Sequence, residues 1–199
     1  GRQVEHPMAF RERRGFAWNG RTVAVTLRSA GHILGSAMAL VEWDDWRLLY
    51  TGDFQTRPSR AAEPCDLDEI GRVDLLVMET TFGRPLYQFP PAEAVRQDII
   101  RFCRETLAAG EVPVLLGYSL CKSQELLHGL ADKGFAIMLH ETVERLTRVY
   151  EEFGWRFPAY ESLDVQQAHG KVLICPPGAT RSGPLRELER TRTALATGW

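Results

Sequence analysis

Apolar positions along the chain follow two different rhythms. Residues 21–29 alternate Val23, Val25 and Leu27 with polar neighbours, the period of a strand with one buried face. Two further apolar runs, 37–43 and 46–50, are separated only by Asp44-Asp45, which reads as a β-hairpin. Residues 73–78 form a short unbroken apolar run, suited to a strand covered on both faces. After Pro90-Pro91 the spacing becomes helical: Ala94, Val95, Ile99, Phe102, Cys103 and Leu107 fall on one side of a helix over 91–109, closed by Gly110. Strands over 112–116, 135–139 and 172–175 then alternate with helices over 122–130 and 141–153, while 157–170 is polar and unassigned. Strand–helix alternation at this spacing implies a parallel sheet flanked by helices, so an α/β protein whose pattern changes near residues 87–91 is expected.

Composition narrows the class without naming a function. The chain has 199 residues, enough for one substantial core or two small ones, and a net charge of −2, which gives no overall pull toward nucleic acid. Any such contact must be a local groove. No run of about 18 apolar residues suggests a membrane span, and the amino-terminal stretch lacks the apolar core of a secretory signal. Cys65, Cys103, Cys121 and Cys175 form no C-x-x-C pair, so reduced, packed thiols and a cytoplasmic location are expected.

Three segments at strand ends carry candidate chemistry. In Ser29-Ala30-Gly31-His32-Ile33-Leu34-Gly35-Ser36 a histidine stands between glycines that let the backbone bend and leave the imidazole uncrowded, as a metal ligand needs. Its alternative is a turn histidine of no consequence. Thr51-Gly52-Asp53-Phe54 ends an apolar run with a carboxylate that needs a cation or several donors if buried, or simply caps a turn. Met78-Glu79-Thr80-Thr81-Phe82-Gly83 repeats the theme with a glutamate. In the second part, Ser119, Lys122, Ser123 and Gln124 open a helix, where N–H groups favour phosphate, and Lys122 is either a phosphate contact or a solvated lysine. His140 lies at a strand-to-helix junction, as a substrate contact or an N-cap. Arg181, Arg186, Arg190 and Arg192, interleaved with Glu187 and Glu189, read as a solvated helix face, and the 11–14 run reads the same way.

In their order, these segments resemble the motifs of metallo-β-lactamase-fold nucleases of the β-CASP group. The stretch 30–37 is similar to the third metal motif, 51–54 to the fourth, and 78–83 to β-CASP motif A. Leu116-Gly117-Tyr118-Ser119-Leu120-Cys121-Lys122-Ser123-Gln124-Glu125-Leu126-Leu127 resembles the β-CASP stretch A-L-G-[KR]-A-Q-E-L-L, with Cys121 where a glycine is usual. Residues 82–91, 139–146 and 175–179, and the final Thr197-Gly198-Trp199, look like the bacterial ligase-associated DNA exonucleases. Glu141 replaces a glycine there.

The resemblance implies a partial αββα metallo-β-lactamase sandwich over residues 1–88, the later part of that domain's first half, followed by a β-CASP domain over 89–199 with a mostly parallel sheet. It implies two zinc ions that activate water for attack on a phosphodiester, with His32 ligating one ion, Asp53 bridging both, and Glu79 holding a ligand or imidazole in one tautomer. Ser119, Lys122 and His140 become nucleic-acid contacts. DNA is the implied substrate and an ATP-dependent DNA ligase system the implied partner; an RNA-processing nuclease or a metal-deficient, non-catalytic subunit is the alternative. The family's H-x-H-x-D-H is absent. The chain is therefore expected to start after that motif, to stop before motifs B and C, and to be inactive alone.

Overall fold

A computed structural model of the chain describes residues 5–180 and 184–196. They form two compact units, Gly1–Tyr87 and Gln88–Trp199, each with its own sheet.

The first unit is a five-stranded mixed sheet in the order β1-β2-β3-β4-β5, formed by Arg13–Trp18, Arg21–Ser29, Ala37–Trp43, Trp46–Tyr50 and Leu75–Val77. The first four strands are antiparallel neighbours, and β5 joins β4 in parallel. Trp43 pairs with Trp46 across Asp44-Asp45, as the sequence pattern predicts, and the two rings stack at 6.3 Å. β1 was not anticipated. It pairs with β2 through Asn19-Gly20, both at positive φ, the backbone that a two-residue hairpin requires. The 11–14 run is thus no helix face: Arg13 and Arg14 open a strand, and Arg11 binds Asp66.

The run at 73–78 is also corrected. Only Leu75–Val77 is strand, and Leu75, Leu76, Val77 and Met78 are 41–49% exposed rather than buried on both faces. β5 is the edge of its sheet, bonded to β4 alone, and the described residues lay no second layer over it.

The second unit is a five-stranded, wholly parallel sheet in the order β10-β6-β9-β7-β8. Its strands are Val112–Leu116 (β6), Ile137–Leu139 (β7), Glu161–Ser162 (β8), Val172–Cys175 (β9) and Thr191–Leu195 (β10). The helices are Ala92–Ala108 (α1), Lys122–Gly129 (α2) and Glu141–Glu152 (α3). Strand side chains alternate between two cores. Leu115, Ile137, Leu139, Val172 and Ile174 pack with Ile100, Cys103, Leu126, Leu127, Leu130 and Val143 of the helical segments. Val114, Leu116, Met138, Leu173 and Cys175 face the other way, against Ala168, Ala179 and Leu185. All three helices therefore contribute to one face, and short 3-10 turns and loops cover the other, where helices on both faces were expected.

The arginine cluster read as a helix face also differs. Arg192 lies in β10 and pairs with Glu111, while Arg190 turns the chain at φ 56°; Arg181 lies outside the described residues, as do Thr197, Gly198 and Trp199. No disulfide joins the four cysteines, and burial pushes the thiols of Cys103 and Cys175 up to about 12, which keeps them protonated and inert. No helix among the described residues is long and apolar enough to cross a membrane.

Candidate functional site

Backbone hydrogen bonds join the three candidate loops of the first unit. His32 sits in a tight turn between Gly31 and Gly35, both in the left-handed region. Ser36 shapes that turn: its hydroxyl accepts from the N–H groups of His32 and Ile33, each at 3.1 Å. Gly31 is required for contact as well as for φ. A Cβ there would lie 2.3 Å from the Gln55 carbonyl oxygen and 2.9 Å from the Cys65 nitrogen. That close approach lets the Gln55 N–H donate to the Ala30 carbonyl at 2.9 Å, joining the His32 turn to the segment that holds Asp53.

The Asp53 segment is joined in turn to Glu79. The Thr51 N–H donates to the Val77 carbonyl at 3.0 Å, and Gly52, at φ 55°, redirects the chain after β4. The Glu79 carboxylate accepts the Thr81 N–H at 2.8 Å, and the Phe54 backbone, directly after Asp53, lies near it. These groups, Thr81 first, together with the nearby His32 ring, hold its acidity below the usual carboxylate range and so keep it charged at neutral pH. Glu79, which the resemblance offers as the acidic residue of motif A, thus stands beside both the Asp53 loop and the His32 ring. His32 and Asp53 themselves are exposed.

Imidazole and carboxylate are suitable zinc donors, but stable protein sites use three or four. Among the described residues no group of three or more histidine, cysteine, aspartate or glutamate side chains is arranged to hold a metal. His32 and Asp53 fit as members of such a set and do not complete one.

In the second unit the candidates lie at the carboxyl ends of β6 and β7. The Ser119 hydroxyl is 3.2 Å from the Thr142 hydroxyl, which is 3.0 Å from His140 Nδ1. His140 is the N-cap of α3, its ring accepting the Thr142 N–H, so the capping alternative is realised. Lys122 opens α2 and pairs with Glu125 at 3.2 Å. Cys121, just before it, has φ 69° and ψ −63°, and the Lys122 N–H donates back to the Leu120 carbonyl. This is a γ-turn of the strained kind, costing about 1–3 kcal/mol, and it explains why glycine suits the position. Ser123 and Gln124 are buried and serve the loop: the Ser123 hydroxyl donates to the Tyr118 carbonyl, and the Gln124 amide to Ser119. Thr142 went unread in the sequence. Its signal is the place two residues after a strand-ending histidine, where a capping acceptor finds its donor.

No protein-family model matches the chain. Curated proteins do. It is 47% identical, over all 199 of its residues, to a protein of Opitutus terrae named probable DNA ligase, of which it spans 19%. It is 34% identical over 175 residues to a probable RNase, MJ4, of Methanocaldococcus jannaschii, covering 86% of this chain and 40% of that protein. An RNase J-like protein of the same organism matches at 36% over 99 residues, half of this chain and 23% of the relative. The chain is thus related to the β-CASP nucleases, as its motifs imply, and spans from about a fifth to two fifths of the length of these relatives.

Proposed function

We propose that this chain is a portion of a zinc-dependent nuclease that hydrolyses DNA phosphodiester bonds as an exonuclease in repair and ligation, working beside an ATP-dependent DNA ligase system. The observation that carries the reading is the joining of three loops in the family's order: His32 to the Asp53 segment through Gln55, and that segment to the strand that ends before Glu79 through Thr51. In this reading residues 1–88 are the later part of the first metallo-β-lactamase half and 89–199 the β-CASP domain. The exposed apolar β5 supports the view that further chain packs on the first unit.

His32 and Asp53 supply two of the zinc ligands. Bound zinc would activate water and neutralise charge on the phosphate. Glu79, held ionised chiefly by the Thr81 N–H, holds a ligand or a catalytic imidazole in one tautomer. Ser119, Lys122 and His140 hold the strand. Preference for DNA rests on the ligase-named relative matched along the whole chain. The second reading, an RNA-processing nuclease, is favoured by the RNase names of the archaeal relatives.

The test is zinc content and hydrolysis of matched DNA and RNA strands by the intact protein and its variants. Zinc bound by the intact protein, faster cleavage of DNA, and loss of both metal and activity in His32→Ala and Asp53→Ala are expected. Glu79→Gln should retain metal but cleave about 100-fold more slowly. Faster cleavage of RNA would favour the second reading. Neither metal nor cleavage would leave a non-catalytic subunit.

A further inference from the structure

His140 is committed to one tautomer by the backbone. The Thr142 amide N–H points at its Nδ1 from 3.3 Å, and an amide nitrogen only donates. Nδ1 therefore accepts and carries no proton, so the proton of the neutral imidazole sits on Nε2. The Thr142 hydroxyl lies 3.0 Å from the same Nδ1 and 3.2 Å from the Ser119 hydroxyl. One threonine thus ties the loop after β6 to the junction after β7 and fixes the ring that stands there.

Resting on the reading of this face as a nucleic-acid contact, we propose that His140 performs two tasks at once. Its Nδ1 caps α3, and its Nε2–H donates to a phosphodiester oxygen. Thr142 is the positioning residue that makes this division and aligns His140 with Ser119. Capping and substrate contact use opposite nitrogens of the ring, so one does not exclude the other. A phosphodiester oxygen is an acceptor only, and Nε2–H, the Ser119 hydroxyl and the Lys122 ammonium are donors.

Two near-isosteres separate the tasks. Asparagine places an amide oxygen where Nδ1 lies and is a preferred N-cap, but it cannot reach as far as Nε2. Glutamine places its amide nitrogen near Nε2 and does not cap. In the intact protein, His140→Asn is expected to keep the thermal midpoint and weaken binding of a labelled single-stranded oligodeoxynucleotide about tenfold. His140→Gln should lower the midpoint and weaken binding less than threefold. Thr142→Val keeps the amide, so the Nε2–H signature in long-range 1H–15N spectra of the ring should persist, while loss of the hydroxyl link to Ser119 should weaken binding, with Thr142→Ser restoring it. Affinity that follows the midpoint, normal in His140→Asn and poor in His140→Gln, would make His140 a cap alone and overturn the inference. So would an Nδ1–H ring in the wild type. Lys122→Ala separates the two levels: if it weakens binding while His140→Asn does not, only the inference fails. If neither changes affinity, the nucleic-acid reading of this face fails with it.

Discussion

The two sheets of this protein have the same number of strands and very different surroundings. In the second unit β6, β7 and β9 are buried along their whole length between two apolar layers. In the first unit the fully buried apolar cluster is Ala30, Met38, Leu40, Leu49 and Ile70, and β5 is exposed. The contrast separates two ways of holding a loop. Around His32, Asp53 and Glu79 the geometry depends on hydrogen bonds and glycine backbones. Around Ser119 and His140 it rests on a packed sheet whose strand ends deliver the loops.

Substitutions at a tightly held position of each unit break the comparison most sharply. Leu139→Ala, at a fully buried position of β7, should cost about 4 kcal/mol in denaturant unfolding. Gly31→Ala is the largest single change expected in the first unit. Its Cβ would strike the Gln55 carbonyl at a left-handed position, so about 3 kcal/mol of lost stability is expected, with the His32 turn displaced from the Asp53 segment. Comparable unfolding of Gly31→Ala and wild type would show that the turn is not held as described.

Charge supplies the next test. Asp66 accepts from Arg11 and from buried Arg28, and these guanidinium groups, Arg11 first, hold its acidity below the usual carboxylate range. Its folded value is depressed, so its contribution is complete above the ordinary carboxylate pKa of about 4 and is lost as pH falls through the folded value. Asp66→Asn should cost about 2 kcal/mol at neutral pH and flatten the acid limb of the stability curve. The smallest effect belongs to Leu76→Ser on β5: within about 0.5 kcal/mol in this chain, since the leucine is already half exposed. A large loss there would mean that β5 is covered.

Much of the architecture was legible in the residues. Alternation located β2, short apolar runs located β3, β4, β6 and β9, and helical spacing located all three helices, because those patterns record which sides of each element are apolar. Asn19-Gly20 is an equally plain hairpin signal, and reading it would have found β1, whose own residues are largely polar and exposed. β10 had no such signal. An edge strand tolerates charge because it has a partner on one side only, so Arg192 looked like surface helix until β6 was there to pair with it.

The candidate site divides the same way. Sequence alone selected His32, Asp53, Glu79, Ser119, Lys122 and His140, since residue type and position at a strand end are local properties. Tertiary structure decided which of them act on one another. The Thr51 N–H bond to the Val77 carbonyl and the approach of Gly31 to Gln55 join segments more than 20 residues apart, and the link from Ser119 through Thr142 to His140 spans two loops. Such contacts exist only when strands bring distant loops to one edge. Hydrogen bonds are satisfied by neighbours in space, and the chain names only neighbours in order.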